Sequence, residues 1–329
     1  MAKRERTMTE LKKKLLSIME EYLLSCHDQT DETIHNKRRI LSDFILSLPE
    51  ESCCINYEDI VSWEKTKNVS RNTLNGFLCI IRQFLKTASF YDIKCAEPTI
   101  AKYESTYIPY IFSDVEIAEL IRAADDNTSF SRCSSTKTFC FPMIIRLLAF
   151  TGMRLREVLT LRKKDYDTEN GILYLMKTKR RKERIVPLHP SLNKQMGKYF
   201  SRIDATFPKS EYLFPQNDGL RHITKGQAEY EFNKLLNTAD IRKKNDSDKK
   251  FKRSVCIHCL RHYFAISSFR KLQDEKTVNG IEHLSVYLGH TGILETEVYL
   301  KFSHDTDPKS LELFEEYTQD IFRGLYQYE

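Results

Sequence analysis

The stretch 254–304, SVCIHCLRHYFAISSFRKLQDEKTVNGIEHLSVYLGHTGILETEVYLKFSH, contains an unusual set of reactive side chains. His258, Arg261 and His262 open a predicted helix, and His290 ends a second segment with apolar residues at helical spacing. Tyr299 follows nine residues later. Arginine binds phosphate oxygens with a rigid fork of donors, histidine carries protons near neutral pH, and tyrosine becomes a nucleophile once deprotonated. These residue types indicate phosphoryl transfer to a tyrosine.

The size and composition of the chain bound the possible classes of protein. With 329 residues, 41% of them hydrophobic and 30% charged, the chain is long enough for two globular domains with real cores. The net charge of +6 and the isoelectric point of about 8.7 allow an anionic partner without requiring one.

The sequence shows little sign of a membrane segment, a signal peptide or a disulfide framework. No apolar run approaches the roughly 18 residues of a membrane helix, and the basic residues near Met1 are not followed by a signal-peptide pattern. The nine cysteines are an odd number and favour a reduced, cytoplasmic protein whose thiols pack as small hydrophobic groups. The sequence therefore predicts neither a membrane segment nor a secreted protein.

The first 90 residues show helical spacing of apolar residues four times, which predicts a four-helix module. The predicted helices cover 8–26, 32–48, 57–63 and 70–90. Basic residues recur on the polar faces, either as ordinary solvated surface or as a DNA clamp. They are Lys12–Lys14, Lys37–Arg39, Arg71 and Arg82. An irregular linker at about 91–111, with Pro98 and Pro109, closes this first domain.

A new helix begins at Ser113, which forms a predicted capping box with Glu116. The next helix, 139–150, is almost wholly apolar and should be buried. Its break at Gly152 leaves Arg154 and Glu157 at a turn between packed segments. Arg154 there serves either phosphate binding or a structural ion pair with an acidic neighbour.

Residues 171–188 predict two strands around a basic turn. The turn KTKRRKER, 177–184, carries six basic residues and one acidic residue. A solvated hairpin tip is the ordinary explanation, but such dense like charge is costly unless an anion neutralises it. Further helices are predicted after Pro190, from Thr224, and over the amphipathic segment 308–328.

Four motifs now occur in an order that resembles the tyrosine recombinase, or phage integrase, family. Thr151-Gly152-Met153-Arg154 with Glu157 is similar to the family's first arginine box, and 258–262, HCLRH, to its H-x-x-R box. Leu288-Gly289-His290 followed by Tyr299 is similar to its last histidine and nucleophile. The basic turn before Val186-Pro187-Leu188 resembles the position of its hairpin lysine. Arg156, Cys259 and Tyr263 depart from the common residues of these boxes without removing a reacting group.

The resemblance implies a mainly α fold of the DNA breaking-rejoining type. It implies an N-terminal helical core-binding domain, 1–105, that clamps DNA, and a mostly helical catalytic domain, 112–329, with a small β-hairpin. The implied function is site-specific DNA recombination through a covalent 3′-phosphotyrosyl intermediate, as in the integration, excision or transposition of a mobile element.

The resemblance also assigns roles to residues. The implied catalytic residues are Arg154, Lys179, His258, Arg261, His290 and the nucleophile Tyr299. Glu157 and His262 support them. The implied DNA-binding residues are Lys177, Arg180, Arg181, Lys182 and Arg184. Lys179 is chosen over Lys177 as the acid because it precedes Pro187 by the family's eight residues, but the choice between the two lysines stays open.

The same resemblance implies no metal and no cofactor. The implied partner is duplex DNA with short inverted-repeat core sites, bound by a homotetramer that the C-terminal helix 308–328 holds together, with DNA-bending proteins as accessory factors. The expected location is the cytoplasm, in association with the nucleoid, and no membrane is involved.

Three alternatives remain for comparison. The pair His258 and His262, with Cys256 and Cys259 nearby, has zinc-like spacing, but the glutamate of an H-E-x-x-H site is missing and Arg261 would repel a dication. A type IB topoisomerase shares the chemistry, although the separate N-terminal module favours a recombinase. A non-catalytic DNA-binding protein would not need a tyrosine at position 299.

Overall fold

A computed structural model describes residues 9–50, 52–101, 109–129, 136–176, 183–241, 255–275, 277 and 279–289. The chain divides into two compact units, Met1–Thr106 and Tyr107–Glu329. No helix in these described ranges is both long and apolar enough to span a membrane.

The first unit contains the four predicted helices, α1 (Glu10–Leu24), α2 (Asp31–Ser47), α3 (Tyr57–Lys65) and α4 (Arg71–Ser89). Hydroxyl groups of Thr30 and Ser70 accept hydrogen bonds from the backbone at the starts of α2 and α4, which satisfies donors that the helix leaves open. Apolar side chains from all four helices meet in one core around Phe44, Trp63 and Phe84. The four-helix prediction is confirmed.

Two lysines that the sequence placed on the basic face point into this unit instead. Lys12 donates to the carbonyl oxygen of Leu46 at 3.2 Å, and Lys37 donates to the hydroxyl of Tyr22 at 3.1 Å; both lysines are buried. Helical periodicity alone did not identify them, because a long lysine stem packs on apolar surface while its ammonium reaches a polar partner. Their inclusion among the solvated or DNA-facing residues was wrong.

The stretch 91–101, which the sequence predicted as the start of a linker, packs against the first unit. Ile55 donates its backbone N–H to the carbonyl of Lys94 at 2.9 Å, and the N–H of Ala96 donates back to Ile55 at 2.8 Å. Ile93 is buried in the same core. A short backbone bridge therefore holds this segment, which propensity rules cannot predict because its partner lies about 40 residues earlier in the chain.

Seven helices in the described part build the second unit. They are α5 (Asp114–Ser129), α6 (Thr136–Thr151), α7 (Leu155–Leu159), α8 (Pro190–Thr206), α9 (Lys225–Thr238), α10 (Cys259–Asp274) and α11 (Gly280–Leu288). The apolar α6 is buried, as predicted, and its core residues include Ile144, Leu147 and Leu148. The capping box between Ser113 and Glu116 forms as expected.

A three-stranded antiparallel sheet accompanies these helices. Its strands are β1 (Tyr166–Asp167), β2 (Ile172–Leu175) and β3 (Arg184–Pro187), in that order. The register pairs Leu173 with Val186 and Leu175 with Arg184. The hairpin of β2 and β3 was predicted, whereas β1 was not, because two residues carry no alternation pattern. The mainly α fold class with a small sheet is confirmed.

Several predicted features lie outside the described residues. These are the hairpin positions 177–182, the polar segment 242–254, and the residues from His290 to the C-terminus, including Tyr299 and the predicted helix 308–328.

Candidate active site

The position of Arg154 is set by a break between two helices. Gly152 has a φ of +61° and ends α6; a Cβ at this position would clash with the ring of Phe264. Arg154 itself is extended, with a φ of −73°, and α7 begins at the next residue. The chain therefore turns sharply at Gly152, and the arginine projects from a fixed helix start.

Glu157 links this arginine to the sheet. Its carboxylate accepts the backbone N–H of Arg154 at 2.8 Å and Nη1 of the same residue at 3.1 Å. Arg184 of β3 donates to the same carboxylate, through Nη1 at 3.2 Å and Nη2 at 2.8 Å. The glutamate side chain is only 6% exposed, so a buried carboxylate is shared by two arginines. The ion pair of Arg154 with Glu157, considered from the sequence as a structural alternative, exists.

Arg261 is a buried cation on the first turn of α10. The residue is 2% exposed, and its guanidinium donates to the carbonyl of Gly152 at 2.5 Å and to that of Leu288 at 2.8 Å. Two main-chain acceptors on separate segments fix the plane of the fork. Such a charged donor is preorganised, because its orientation does not depend on a ligand.

The end of α11 brings the two arginines together. Arg154 donates through Nη2 to the carbonyl of Gly289 at 3.2 Å, one residue beyond the Leu288 carbonyl that Arg261 uses. Gly289 has a φ of +67° and caps the helix, a conformation that glycine adopts without strain. His290 is the next residue in the sequence. Gly289, its immediate neighbour, therefore contacts Arg154.

His258 lies beside the same cations. Burial of the ring, followed by the positive charges of Arg261 and Arg154, lowers the pKa of His258 to about 4. Solvent still reaches the residue, so hydration offsets part of this effect, but the direction leaves the imidazole neutral at pH 7. The ring of His262 meets that of His258 edge to face, with 4.8 Å between centroids. His258 is thus a neutral imidazole beside two cations.

The structure therefore gathers Arg154, Glu157, His258, Arg261 and His262 at one place. The remaining predicted site residues lie outside the described ranges: Lys177, Lys179, Arg180, Arg181, Lys182, His290 and Tyr299. Arg184 was predicted among the DNA contacts of the basic turn. Its side chain is instead 12% exposed and bound to Glu157.

Cys256 and Cys259, considered from the sequence only as neighbours of a zinc-like histidine pair, also form a C-x-x-C pair. Cys256 and Cys259 bracket His258, and their Sγ atoms are 3.6 Å apart. A C-x-x-C spacing in a sequence can indicate a redox or a metal site. In the described part of the chain, no group of three or more histidine, cysteine or acidic side chains is arranged to hold a metal ion.

A mainly helical fold, a three-stranded sheet and an R…H-x-x-R constellation around the buried Arg261 define the class of the tyrosine recombinases. The crystal structure of XerH site-specific recombinase bound to palindromic difH substrate, a post-cleavage complex, has this fold: its TM-score is 0.64 at 19% identity, covering 86% of this chain and 80% of XerH.

Sequence comparison gives the family. The model of the phage integrase family matches residues 112–305, and the chain belongs to that family. A Sinorhizobium fredii protein, y4rE, is 30% identical over 72% of this chain and 74% of its own length. The tyrosine recombinase XerD of Rhizobium meliloti is 25% identical over 68% of this chain and 67% of its own. The family and the enzyme class predicted from the boxes are confirmed.

Proposed function

We propose that this chain cuts and rejoins duplex DNA at specific sites, with Tyr299 as the nucleophile and a 3′-phosphotyrosyl bond as the intermediate. The observation that carries the proposal is the convergence of Arg154 and Arg261 on the end of α11, immediately before His290. Family membership supports it, and so does the likeness to XerH, whose structure holds a DNA substrate.

The two arginines would neutralise the scissile phosphate. Negative charge grows on the non-bridging oxygens as the tyrosine attacks, and fixed donors stabilise that charge without reorganising. Arg261 supplies a buried positive charge, whereas the side chain of Arg154 is 27% exposed and can meet a phosphate from solvent. We assign the more exposed contact with the phosphate to Arg154, and to Arg261 a buried donor that its two carbonyl partners hold in a fixed plane.

The reaction needs two proton transfers: the attacking tyrosine loses a proton, and the departing 5′ oxygen gains one. The neutral imidazole of His258 accepts the proton of the Tyr299 hydroxyl, whose ordinary pKa of about 10 keeps it protonated at pH 7. Lys179 donates a proton to the departing 5′ oxygen, and His290 donates a hydrogen bond to the phosphate. One phosphoester bond replaces another, so the 5′-hydroxyl of the partner strand can attack the phosphotyrosine, form a new phosphodiester and release Tyr299 without an external energy source.

The first unit, with a boundary at about residue 105, would clamp the duplex. With Lys12 and Lys37 buried, Lys13, Arg39 and Arg82 are the stronger candidates for phosphate contact, since none of the three forms an ion pair within the described ranges. Arg38 and Arg71 pair with Glu20 and Glu64. Lys14 is also exposed, but its ammonium donates to the carbonyl oxygen of Tyr91 at 2.8 Å, which leaves these three as the DNA-facing candidates.

Binding to duplex DNA should weaken steeply with salt, because lysine and arginine displace counterions from phosphates. With six to ten phosphate contacts, we expect the association constant to fall about 10³- to 10⁵-fold between 50 and 200 mM salt. Fluorescence anisotropy at several salt concentrations measures the slope. The triple change of Lys13, Arg39 and Arg82 to alanine should reduce that slope, while Lys65→Ala serves as the matched change on the same unit. A salt-independent affinity would show that the basic residues are only solvated surface.

Lys179 is the proposed acid of the basic turn. Lys179→Ala should cleave ordinary DNA about 10²- to 10⁴-fold more slowly, the usual contribution of a general acid. A substrate whose 5′ leaving oxygen is replaced by sulfur should restore cleavage, because a thiolate departs without a proton. Lys177→Ala is the control. Rescue in Lys177→Ala instead, or equal losses on both substrates, would move the role away from Lys179.

The family and the palindromic substrate in the XerH structure support further proposals about partners. The chain would act on short inverted repeats, as a tetramer held by the segment 308–328, with accessory DNA-bending proteins, on the DNA of a mobile element and near the nucleoid. Labelled fragments of the DNA that flanks its gene, each carrying a nick, are the direct test. A covalent adduct on fragments with inverted repeats, followed by exchange between two such fragments, supports recombination, whereas relaxation of supercoils without exchange favours a topoisomerase.

A further inference from the structure

Arg184 occupies a position that its place in the basic turn did not suggest. Leu175 pairs with Arg184 at the start of β3, so the sheet register fixes where the arginine leaves the strand. Both Nη atoms donate to Glu157, and the side chain is 12% exposed. Two of the three guanidinium nitrogens of Arg184 therefore donate to the Glu157 carboxylate, which also accepts from Arg154.

Stability alone gives a poor explanation for this arrangement. The Nε atom of Arg184 is buried and has no hydrogen-bond partner in the part of the chain that the structure describes. An unsatisfied buried donor opposes folding, and a buried ion pair is often no more stabilising than apolar residues of the same volume. The effect of Arg184 on the residues that it contacts therefore explains its position better than a contribution to stability does.

We infer that Arg184 is a positioning residue that keeps the guanidinium of Arg154 available to the scissile phosphate by sharing the carboxylate of Glu157. The inference rests on the proposed function, in which Arg154 contacts that phosphate. This role differs from the DNA contact that the sequence predicted for Arg184. It also goes beyond the support that the sequence predicted for Glu157, because it needs both residues together.

The sharing is visible at the two carboxylate oxygens. Oε1 accepts from Arg154 Nη1 at 3.1 Å and from Arg184 Nη1 at 3.2 Å. Oε2 accepts from the backbone N–H of Arg154 and from Arg184 Nη2, both at 2.8 Å. If Arg184 were absent, the carboxylate would be free to turn both oxygens toward the guanidinium of Arg154, since fork-to-fork pairing is the preferred geometry. Glu157 would then compete with the phosphate.

The guanidinium of Arg184 also lies next to Gly289. A Cβ added at Gly289 would lie 2.7 Å from Arg184 Nη1, so the guanidinium packs directly against this backbone. The carbonyl of Gly289 accepts from Arg154 Nη2. Arg184 thus touches both residues that orient Arg154. It also follows Lys179, the proposed acid, by five residues in the sequence.

The test compares two substrates for each protein. One carries the natural scissile phosphodiester, and the other carries a methylphosphonate, in which a methyl group replaces one non-bridging oxygen and removes the negative charge. Arg184→Ala should slow single-turnover cleavage of the phosphodiester about 10- to 100-fold, the usual effect of removing an outer partner of a reacting group. On the methylphosphonate the loss should shrink to a few-fold, because less charge must be neutralised there.

Three further variants sharpen the result. Arg184→Lys keeps the charge but not the planar fork, so its loss should be intermediate. Arg184→Ala combined with Glu157→Gln should cost little more than the worse single change, because both act through one contact. Arg162→Ala removes a partly exposed arginine that pairs with Glu211 at 3.2 Å and should leave both rates unchanged.

The ratio of the two rates within one sample cancels any difference in the folded fraction. An equal loss on both substrates for Arg184→Ala, or losses that multiply in the double variant, would overturn the positioning role. If the unaltered protein forms no adduct on the phosphodiester, the proposed function itself is wrong and the inference falls with it.

Discussion

Replacing Tyr299 with phenylalanine should abolish the covalent protein–DNA adduct while leaving DNA affinity within about twofold of the unaltered protein. The change removes one hydroxyl oxygen, and without that nucleophile the covalent step has no route. Cleavage should fall below the detection limit, because enzymes typically exceed the uncatalysed rate by at least about 10⁶-fold and the nucleophile is gone. A nicked duplex that traps the adduct, analysed on a denaturing gel, measures the loss, and anisotropy measures the affinity.

Tyr263 and Tyr287 are the matched controls, because both are phenols close in sequence to the reacting boxes. The hydroxyl of Tyr263 donates to Asp114 at 2.8 Å, and burial together with that carboxylate raises its pKa to about 12. Burial also raises the pKa of Tyr287 to about 12, although Arg184 and Arg261 oppose the shift. Both phenols are therefore harder to deprotonate than a free tyrosine, and their phenylalanine variants should retain the adduct. An adduct that persists in Tyr299→Phe but disappears in one of these controls would transfer the nucleophile's role.

Replacing Arg261 with lysine should reduce cleavage about 10²- to 10³-fold, the range seen when one preorganised donor is lost from a site of developing charge. The charge is retained, but a single ammonium on a flexible stem cannot reproduce a planar fork that joins Gly152 and Leu288. One buried carbonyl would lose its partner. The free energy of unfolding should therefore also fall, by about 1–3 kcal/mol.

Arg270→Lys is the control for this change, because Arg270 lies on the same helix with its side chain exposed. It should leave both the cleavage rate and the unfolding midpoint close to those of the unaltered protein. Single-turnover kinetics and thermal unfolding distinguish the two variants. Near-normal cleavage by Arg261→Lys would show that position 261 needs only a charge and not the fork.

Local signals in the sequence predicted most of the helices and the arginine boxes. The capping box at Ser113, the apolar run of α6 and the helix start at Thr224 all depend on neighbouring residues, and each was found where expected. The family's boxes likewise identified Arg154, His258 and Arg261, because each motif is short and contiguous. Such features need no knowledge of distant contacts.

Distant contacts explain what the sequence could not predict. Arg261 lies 109 residues from the Gly152 carbonyl that it binds, and Arg184 lies 27 residues from Glu157. A basic turn gives no sign that its last arginine will bend back onto a buried glutamate rather than face DNA. Likewise, the burial of Lys12 and Lys37 depends on packing between helices, which the charge pattern does not encode.

The central claim is that Tyr299 becomes linked to the 3′ end of the cut strand, and mass spectrometry of the trapped adduct tests it most directly. The unaltered protein is incubated with a nicked duplex that contains its site, then digested with protease and nuclease. We predict a single modified peptide, with a nucleotide joined to the Tyr299 oxygen through a 3′ phosphate. A nucleotide attached to a different residue, or joined through a 5′ phosphate, would contradict the account.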